Sequence, residues 1–579
     1  MRIRNRCFVF LVFLLLLNSV YSQELHSIRI IPNQNSDPNP DLPKNNTRKS
    51  DFPLGVNVSW FNTWNESQPL ANVASAARAS QNSYIALDQK GQPVADFRIV
   101  VYEGLNPGVI GGAGGGAQFG VHKGRFEGVA NVTGGEEGVV SNVSYDSQTN
   151  ITTFNFTTTK AAVSVIDFTN TRRSKSAAIG SGISNVEVMR PGHDFDDLLN
   201  SSFTQAMEPF SAMRVGPNWE TYTYLTDPPV WNDRCKPDGF FHLGDTKNTG
   251  GAPWETLIAM ANELMIDLWI CLPPNADDEY LTKIFQIFEY GSDGINPYTF
   301  TQANPIWAPL NSKLNLYFEV GNEVWNSSSP YGAIRNQIME KAAAEISAGD
   351  PKDLAYTDYD SNMIRQRRLA WQIAHISELC RGIVGDENMM NRYRPVLSGQ
   401  SDWSWQGQVS LSYLKVVLGG HDWVTSWGAE GFTGEFKDKL LTPEDGSSLN
   451  GFGNIARPIT YWIYGYAVAP YINGTTIAGL NEDLSDVEKQ MLEAISDANE
   501  YGVVPLAYEG GIEKYSSYQE AGLDTVMEKM LNFWYDNGGG LFMYYSFAGN
   551  RNGVYADLTK QNPDIWPKVR AIRNVTGLD

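Results

Sequence analysis

The chain has 579 residues, enough for at least one large core, and carries a formal net charge of −21 with a sequence pI of about 4.8. Nucleic acid and anionic membrane surfaces would repel that charge, so both are excluded as partners, while a neutral sugar polymer is not. Its four cysteines and six histidines show no metal-ligand spacing.

Arg2, Arg4 and Arg6 precede an apolar run from Cys7 to Leu17, and Val20 and Ser22 suit cleavage after Ser22, so residues 1–22 read as a secretory signal peptide. No later segment offers about 18 uninterrupted apolar residues. The expected product is secreted and extracellular, without membrane insertion. Sequons at Asn45, Asn57, Asn65, Asn131, Asn142, Asn150, Asn155, Asn200, Asn326, Asn473 and Asn574 agree with a glycoprotein. Beyond the signal peptide remain Cys235, Cys271 and Cys380, for which the arithmetic predicts one disulfide and one thiol, Cys271 being the best candidate for a buried thiol.

Residues 23–52 are Pro- and Asn-rich and predict a flexible leader. Pro53 to Trp64 predicts the first strand of a barrel, and Ala71 to Ala79 a short helix. From 84 to 190 the sequence turns Val-, Thr- and Phe-rich, with short alternating runs at Phe97 to Tyr102, Val139 to Tyr145, Thr152 to Thr158 and Ala162 to Phe168. This predicts an inserted β-sandwich of antiparallel strands, serving either as a glycan-binding unit or as a wall of the cleft. The glycine run Gly111 to Gly116 lacks the Lys and Ser/Thr of a phosphate loop and reads as a hairpin loop.

From 191 to 579 strands and helices alternate, as in a parallel α/β fold. Strands are predicted at Met213 to Trp219, Asp267 to Pro273, Leu314 to Gly321, Pro395 to Gly399, Trp423 to Trp427, Val503 to Glu509 and Leu541 to Phe547. Helices are predicted at Pro253 to Met265, Asp277 to Phe288, Ala333 to Ile346, Ile364 to Ile383, Leu411 to Val417, Ser485 to Tyr501, Ala521 to Asp536 and Trp566 to Arg573. With the first strand at Pro53 the strands number eight, the closing number of a (β/α)8 TIM barrel, whose reactive groups lie at the strands' C-terminal ends.

Two of these strands end in a carboxylate. Leu314 to Asn326 reads L-N-L-Y-F-E-V-G-N-E-V-W-N and delivers Glu323, while Val503 to Gly511 reads V-V-P-L-A-Y-E-G-G and delivers Glu509. Paired carboxyls suit glycosidic cleavage, where one must start protonated to protonate the leaving group and the other ionised to stabilise an oxocarbenium-like centre. The charge on Glu509 would oppose ionisation of Glu323 and so divide the roles. Neither step needs a metal or organic cofactor.

The G-N-E-V-W-N and A-Y-E-G-G motifs, together with M-R-V, W-N-D-R and G-A-P-W-E-T-L-I-A-M-A-N-E, resemble the clan A glycoside hydrolases, a superfamily of retaining (β/α)8 enzymes. The resemblance implies that Glu323 is the general acid/base, Glu509 the nucleophile and Asn322 a partner of the substrate's 2-hydroxyl. It also places Arg214 where an arginine often accompanies the nucleophile, although a structural ion pair is an equal reading. Glu319, inside the barrel, requires a partner such as Arg214 or a lysine, or a neutral state. Trp219, Trp231, Trp325, Trp403, Trp405 and Trp427 are candidate sugar platforms, each also readable as core, and Glu430 and Glu513 read as structural acids.

The chain departs from the clan pattern in two places. Trp427 or Phe432 stands where the sixth strand usually supplies a tyrosine, and Tyr545 or Phe547 must floor the subsite where the eighth usually supplies tryptophan. The expectation is a secreted retaining hydrolase acting on a β-linked polysaccharide or oligosaccharide. Its rival is a non-catalytic extracellular carbohydrate-binding or cell-surface protein on the same barrel. The sequon at Asn326 is expected to be unoccupied or to point away from the cleft.

Overall fold

The computed structural model describes residues 53–58, 67–79, 85–104, 119–158, 162–215, 227–240, 252–328, 331–349, 352, 354, 360–418, 457–513, 520–548, 553–555 and 566–578. Its centre is a closed barrel of eight parallel strands: Leu54–Val58, Ala212–Val215, Asp267–Leu272, Leu316–Val320, Tyr393–Ser398, Gly465–Val468, Val504–Ala507 and Phe542–Tyr544. The first strand pairs with both the second and the eighth, which closes the ring. This is the (β/α)8 architecture that the alternation of strand and helix predicts.

Side-chain alternation sorts the strands into two environments. Leu54, Val56, Met213, Val215, Leu268, Ile270, Leu316 and Phe318 point outward and pack with the helices in one large apolar cluster. Ala212, Trp269, Tyr317, Val396, Ala467, Leu506 and Met543 fill the barrel interior. Polar Asn57, Arg214 and Glu319 share that interior, all buried. Such groups are tolerated there only if they satisfy one another.

The sixth strand is a correction. Gly465–Val468 pairs with Tyr393–Ser398 on one side and Val504–Ala507 on the other, so the stretch Trp423 to Trp427, which lies outside the described residues, does not hold that position. Aromatic and β-branched content favours a strand locally, but closure is decided by which segment can pair on both edges. The segment Gly-Tyr-Ala-Val carries one aromatic and one β-branched residue but is only four residues long.

Between the first and second barrel strands the chain forms two four-stranded antiparallel sheets. One joins Arg78–Ala79, Phe97–Gly104, Ala162–Arg172 and Val129–Glu136; the other joins Gly138–Asp146, Ile151–Thr158, Gly120–Glu127 and Ser184–Met189. Ile99 and Phe168 of the first sheet meet Phe126, Phe154 and Phe156 of the second in one core. Phe97 stacks on Phe168 at 4.7 Å, and Phe126 meets Phe168 edge-on at 5.6 Å. Charges and glycines interrupt the apolar alternation of the strands at Gly120 and Val129, and Ser184–Met189 is short, so none of the three stands out in the sequence. The helix expected at Ala71 to Ala79 is instead a 3-10 turn, Val73–Ala76, followed by the short strand. The glycine run at Gly111 lies outside the described residues.

The helix Ile477–Glu500 is capped by the Thr476 side chain, so the start predicted at Ser485 lies within it. Among the described residues no helix is long and apolar enough to cross a membrane. Among the described residues the predicted disulfide does not form: Cys235, Cys271 and Cys380 are buried thiols. They sit in a loop, on a barrel strand and on the helix Ser361–Val384, fixed by different elements.

Candidate active site

Both carboxylates are delivered by strands that stop abruptly. After Leu316–Val320 the chain turns at Gly321, whose φ is +62° and where a Cβ would stand 2.5 Å from Val324 Cγ1 and 2.8 Å from Pro274 Cγ. Only glycine fits, and the turn leaves Asn322 and Glu323 at the barrel mouth. After Val504–Ala507 come Tyr508 and Glu509, then Gly510 and Gly511, where a Cβ would lie 2.7 Å from the Phe542 ring and 2.4 Å from the Tyr544 ring respectively. Close approach to the eighth strand therefore demands glycine directly behind the second carboxylate.

Arg214 joins the two strand ends. Fully buried, it donates from Nε to Glu319 Oε1 at 2.9 Å and from Nη1 to Asn57 Oδ1 at 2.7 Å and Glu509 Oε1 at 3.0 Å. Its Nη2 donates to Asn322 Oδ1 at 2.6 Å and lies 2.7 Å from Glu319 Oε1. One planar cation on the second strand thus binds side chains from the first, fourth and seventh strands and their ends. Glu319 is further satisfied by Trp269 Nε1 at 2.9 Å, by Cys271 Sγ at 3.5 Å and by the Ser398 hydroxyl.

Burial pushes the Glu509 carboxyl up to about 7; Arg214 opposes the rise, the charge of Glu323 adds to it, and the Tyr471 hydrogen bond opposes it. Tyr471 donates its hydroxyl to Glu509 Oε2 at 2.6 Å. It stands on a short strand, Tyr471–Asn473, which pairs with Gly511–Glu513 just beyond the barrel, and that pairing brings the phenol to the carboxylate. Burial and the Glu509 charge push the phenol well above its ordinary range, so it remains a donor. Glu323, at φ +45°, takes a hydrogen bond from Asn326 Nδ2 at 3.0 Å and a longer one from the Tyr508 hydroxyl at 3.4 Å.

Of the other predicted site residues, Tyr545 meets Tyr471 edge-on at 6.0 Å and feels the charge of Glu509, so it belongs to this cluster. Phe547 instead packs with Phe203 and Tyr555 in the outer core. The Trp325 ring is buried against Tyr508, at 6.0 Å edge-on, and Trp231 is buried with Arg234 over its ring at 4.6 Å. Trp403 is 52% exposed, with Trp405 at 6.2 Å. Trp219, Trp427, Phe432 and Glu430 lie outside the described residues, and Glu513 stands on the short strand beside Asn473.

Sequence reasoning missed Asn57, Tyr471, Tyr508 and Asn326 as site residues. Asn57 lies in a sequon, yet it is buried and donates Nδ2 to the Tyr508 carbonyl at 3.0 Å, and the Asn326 amide, expected to be unoccupied or to point away, faces Glu323. Tyr471 lies three residues past the end of the sixth strand. The signal for the sixth strand lies in Tyr-Ala-Val-Ala-Pro-Tyr, which pairs an apolar run with a proline stop. Among the described residues no three His, Cys, Asp or Glu side chains converge as a metal site would require.

No protein-family model matches the sequence, and no curated protein does. Among solved structures the chain is similar to an endo-1,4-β-D-mannanase from Thermotoga petrophila RKU-1, at 11% identity and a TM-score of 0.31, over 65% of this chain and 94% of that one. It is similar to a 4-O-α-L-rhamnosyl-β-D-glucuronidase from Fusarium oxysporum 12S at 10% identity and a TM-score of 0.33, over 65% and 64% of the two chains. A family 51 α-L-arabinofuranosidase from Bifidobacterium longum aligns at 9% identity and a TM-score of 0.36, over 66% and 68%. Likenesses this distant carry no argument about activity or substrate, and the barrel stands on its own strand order.

Proposed function

We propose that the chain is a secreted retaining glycoside hydrolase that cleaves β-linked bonds in a polysaccharide or oligosaccharide, with Glu323 as general acid/base and Glu509 as nucleophile. The observation that supports this reading best is the Arg214 bridge, which ties the Glu509 carboxylate to Asn322, the neighbour of Glu323, through one buried cation. In the first step the Glu323 proton passes to the glycosidic oxygen as that oxygen leaves the anomeric carbon, and a Glu509 oxygen bonds to the carbon from the opposite face. In the second step water gives a proton to Glu323 and its oxygen displaces Glu509, restoring the original configuration.

Burial pushes the Glu509 carboxyl up to about 7, while Arg214 and the Tyr471 hydrogen bond oppose the rise. The reaction needs a proton on Glu323 and the charge on Glu509. Arg214 and Tyr471 favour this division, because both stabilise ionised Glu509. Arg214 occupies the Asn322 oxygen, which leaves the Asn322 amide N–H groups for the substrate's 2-hydroxyl. Tyr545 offers a ring face beneath the sugar.

The test is a panel of activated 2-fluoro glycosides followed by peptide mass analysis. The expected result is an ester on Glu509, together with losses of several orders of magnitude in turnover for Glu323→Gln and Glu509→Gln in folded protein. Normal turnover by either variant removes its assigned role.

A further inference from the structure

We infer that Asn326 is a positioning residue that holds the Glu323 carboxylate in its working orientation, an inference that rests on the acid/base role proposed above. Past the fourth strand the chain makes a tight turn in which the Asn326 backbone N–H donates to the Glu323 carbonyl at 2.8 Å and its side-chain Nδ2 donates to Glu323 Oε2 at 3.0 Å. The Asn326 Oδ1 in turn accepts from the Ser328 N–H at 2.9 Å and the Ser328 hydroxyl at 2.6 Å. Those donors fix the amide: only its oxygen can face the Ser328 N–H, so its nitrogen must face the carboxylate.

Glu323 needs such a hold. Its φ of +45° places it outside regular structure, and among the described residues its other oxygen has the long contact to Tyr508, 3.4 Å. With Oε2 fixed by Asn326, Oε1 is the oxygen left to carry the proton to the leaving group. In the second half-reaction the same N–H stabilises the carboxylate that must act as base. Asn326 therefore acts through Glu323. The sequon Asn326-Ser327-Ser328 takes on a different meaning here, since the hydroxyl that would complete it is the one clamping the amide.

The experiment compares kcat, KM and the pH profile of kcat/KM for the full chain and for Asn326→Ala, Asn326→Asp, Ser328→Ala and Glu323→Gln. Asn326→Ala is expected to lower kcat on the order of tenfold, to leave KM nearly unchanged, and to move the alkaline limb upward by about half to one pH unit, because a donor to the charged form is lost. Asn326→Asp should move the limb further, and Ser328→Ala should fall between Asn326→Ala and the parent. A kcat and pH profile like the parent's for Asn326→Ala overturns the inference, and so does a loss of kcat without movement of the limb. If Asn326→Ala fails to fold, Ser328→Ala decides the matter in the same way. Unimpaired turnover by Glu323→Gln strikes the acid/base reading itself, which separates the two failures.

Discussion

Replacing Glu509 by glutamine should stabilise the fold and abolish turnover, and the stabilisation should depend on pH. Burial raises this carboxyl from 4.5 to about 7, so between those values the folded chain holds a proton that the unfolded chain has released. The folded state binds the extra proton, and stability therefore falls as pH rises. The contribution is intact below pH 4.5, declines through the window, and is fully lost above about 7. At 1.36 kcal/mol per pH unit the 2.5-unit rise corresponds to about 3 kcal/mol. Glutamine has no charge to bury. Urea unfolding followed by tryptophan fluorescence should find Glu509→Gln close to the parent near pH 4.5 and more stable by up to about 3 kcal/mol at pH 8. A difference of equal size at both pH values, or a more stable parent at pH 8, would refute the reasoning, because it would mean that Arg214 and Tyr471 outweigh burial.

Tyr471→Phe removes the hydroxyl that favours ionised Glu509, so kcat should fall roughly 10- to 100-fold and the acidic limb of the pH–rate profile should move upward, as read by steady-state kinetics. Arg214→Met leaves buried Glu319 and Glu509 without their cation, and thermal or chemical unfolding should show a loss of about 3–5 kcal/mol near neutral pH. Thiol titration of the chain from Gln23 onward, without reductant, should count three thiols in denaturant and find them unreactive in the native state, where burial pushes Cys235 up to about 12. When the protein is made in a glycosylating cell, peptide mapping should find Asn57, Asn200 and Asn326 unmodified, since their amides are engaged at 3.0, 3.1 and 3.0 Å, whereas exposed Asn142 is open to modification. An active fraction carrying glycan at Asn326 would contradict the inward amide.

The barrel and its two carboxylate-ending strands were legible because their signals are local. Leu316–Val320 and Val504–Ala507 are apolar runs closed by Glu and Gly, and a strand's alternation assigns its own faces. The sixth strand was not legible, since Gly465–Val468 is only four residues long and is chosen over rival apolar segments by the two edges it bridges. Nor was the disulfide count, because pairing depends on distances that spacing along the chain does not give. Composition and motif order thus determined an acidic chain with a (β/α)8 core and glutamates at the ends of its fourth and seventh strands. Tertiary structure alone decided that Arg214 binds Glu319, Glu509, Asn57 and Asn322 at once, that Tyr471 reaches Glu509, and that Asn326 turns its amide inward. The physical reason is that each of these contacts meets a buried polar group's need for a partner, and for all but Asn326 that partner is found across the barrel mouth, where the sequence carries no record of proximity.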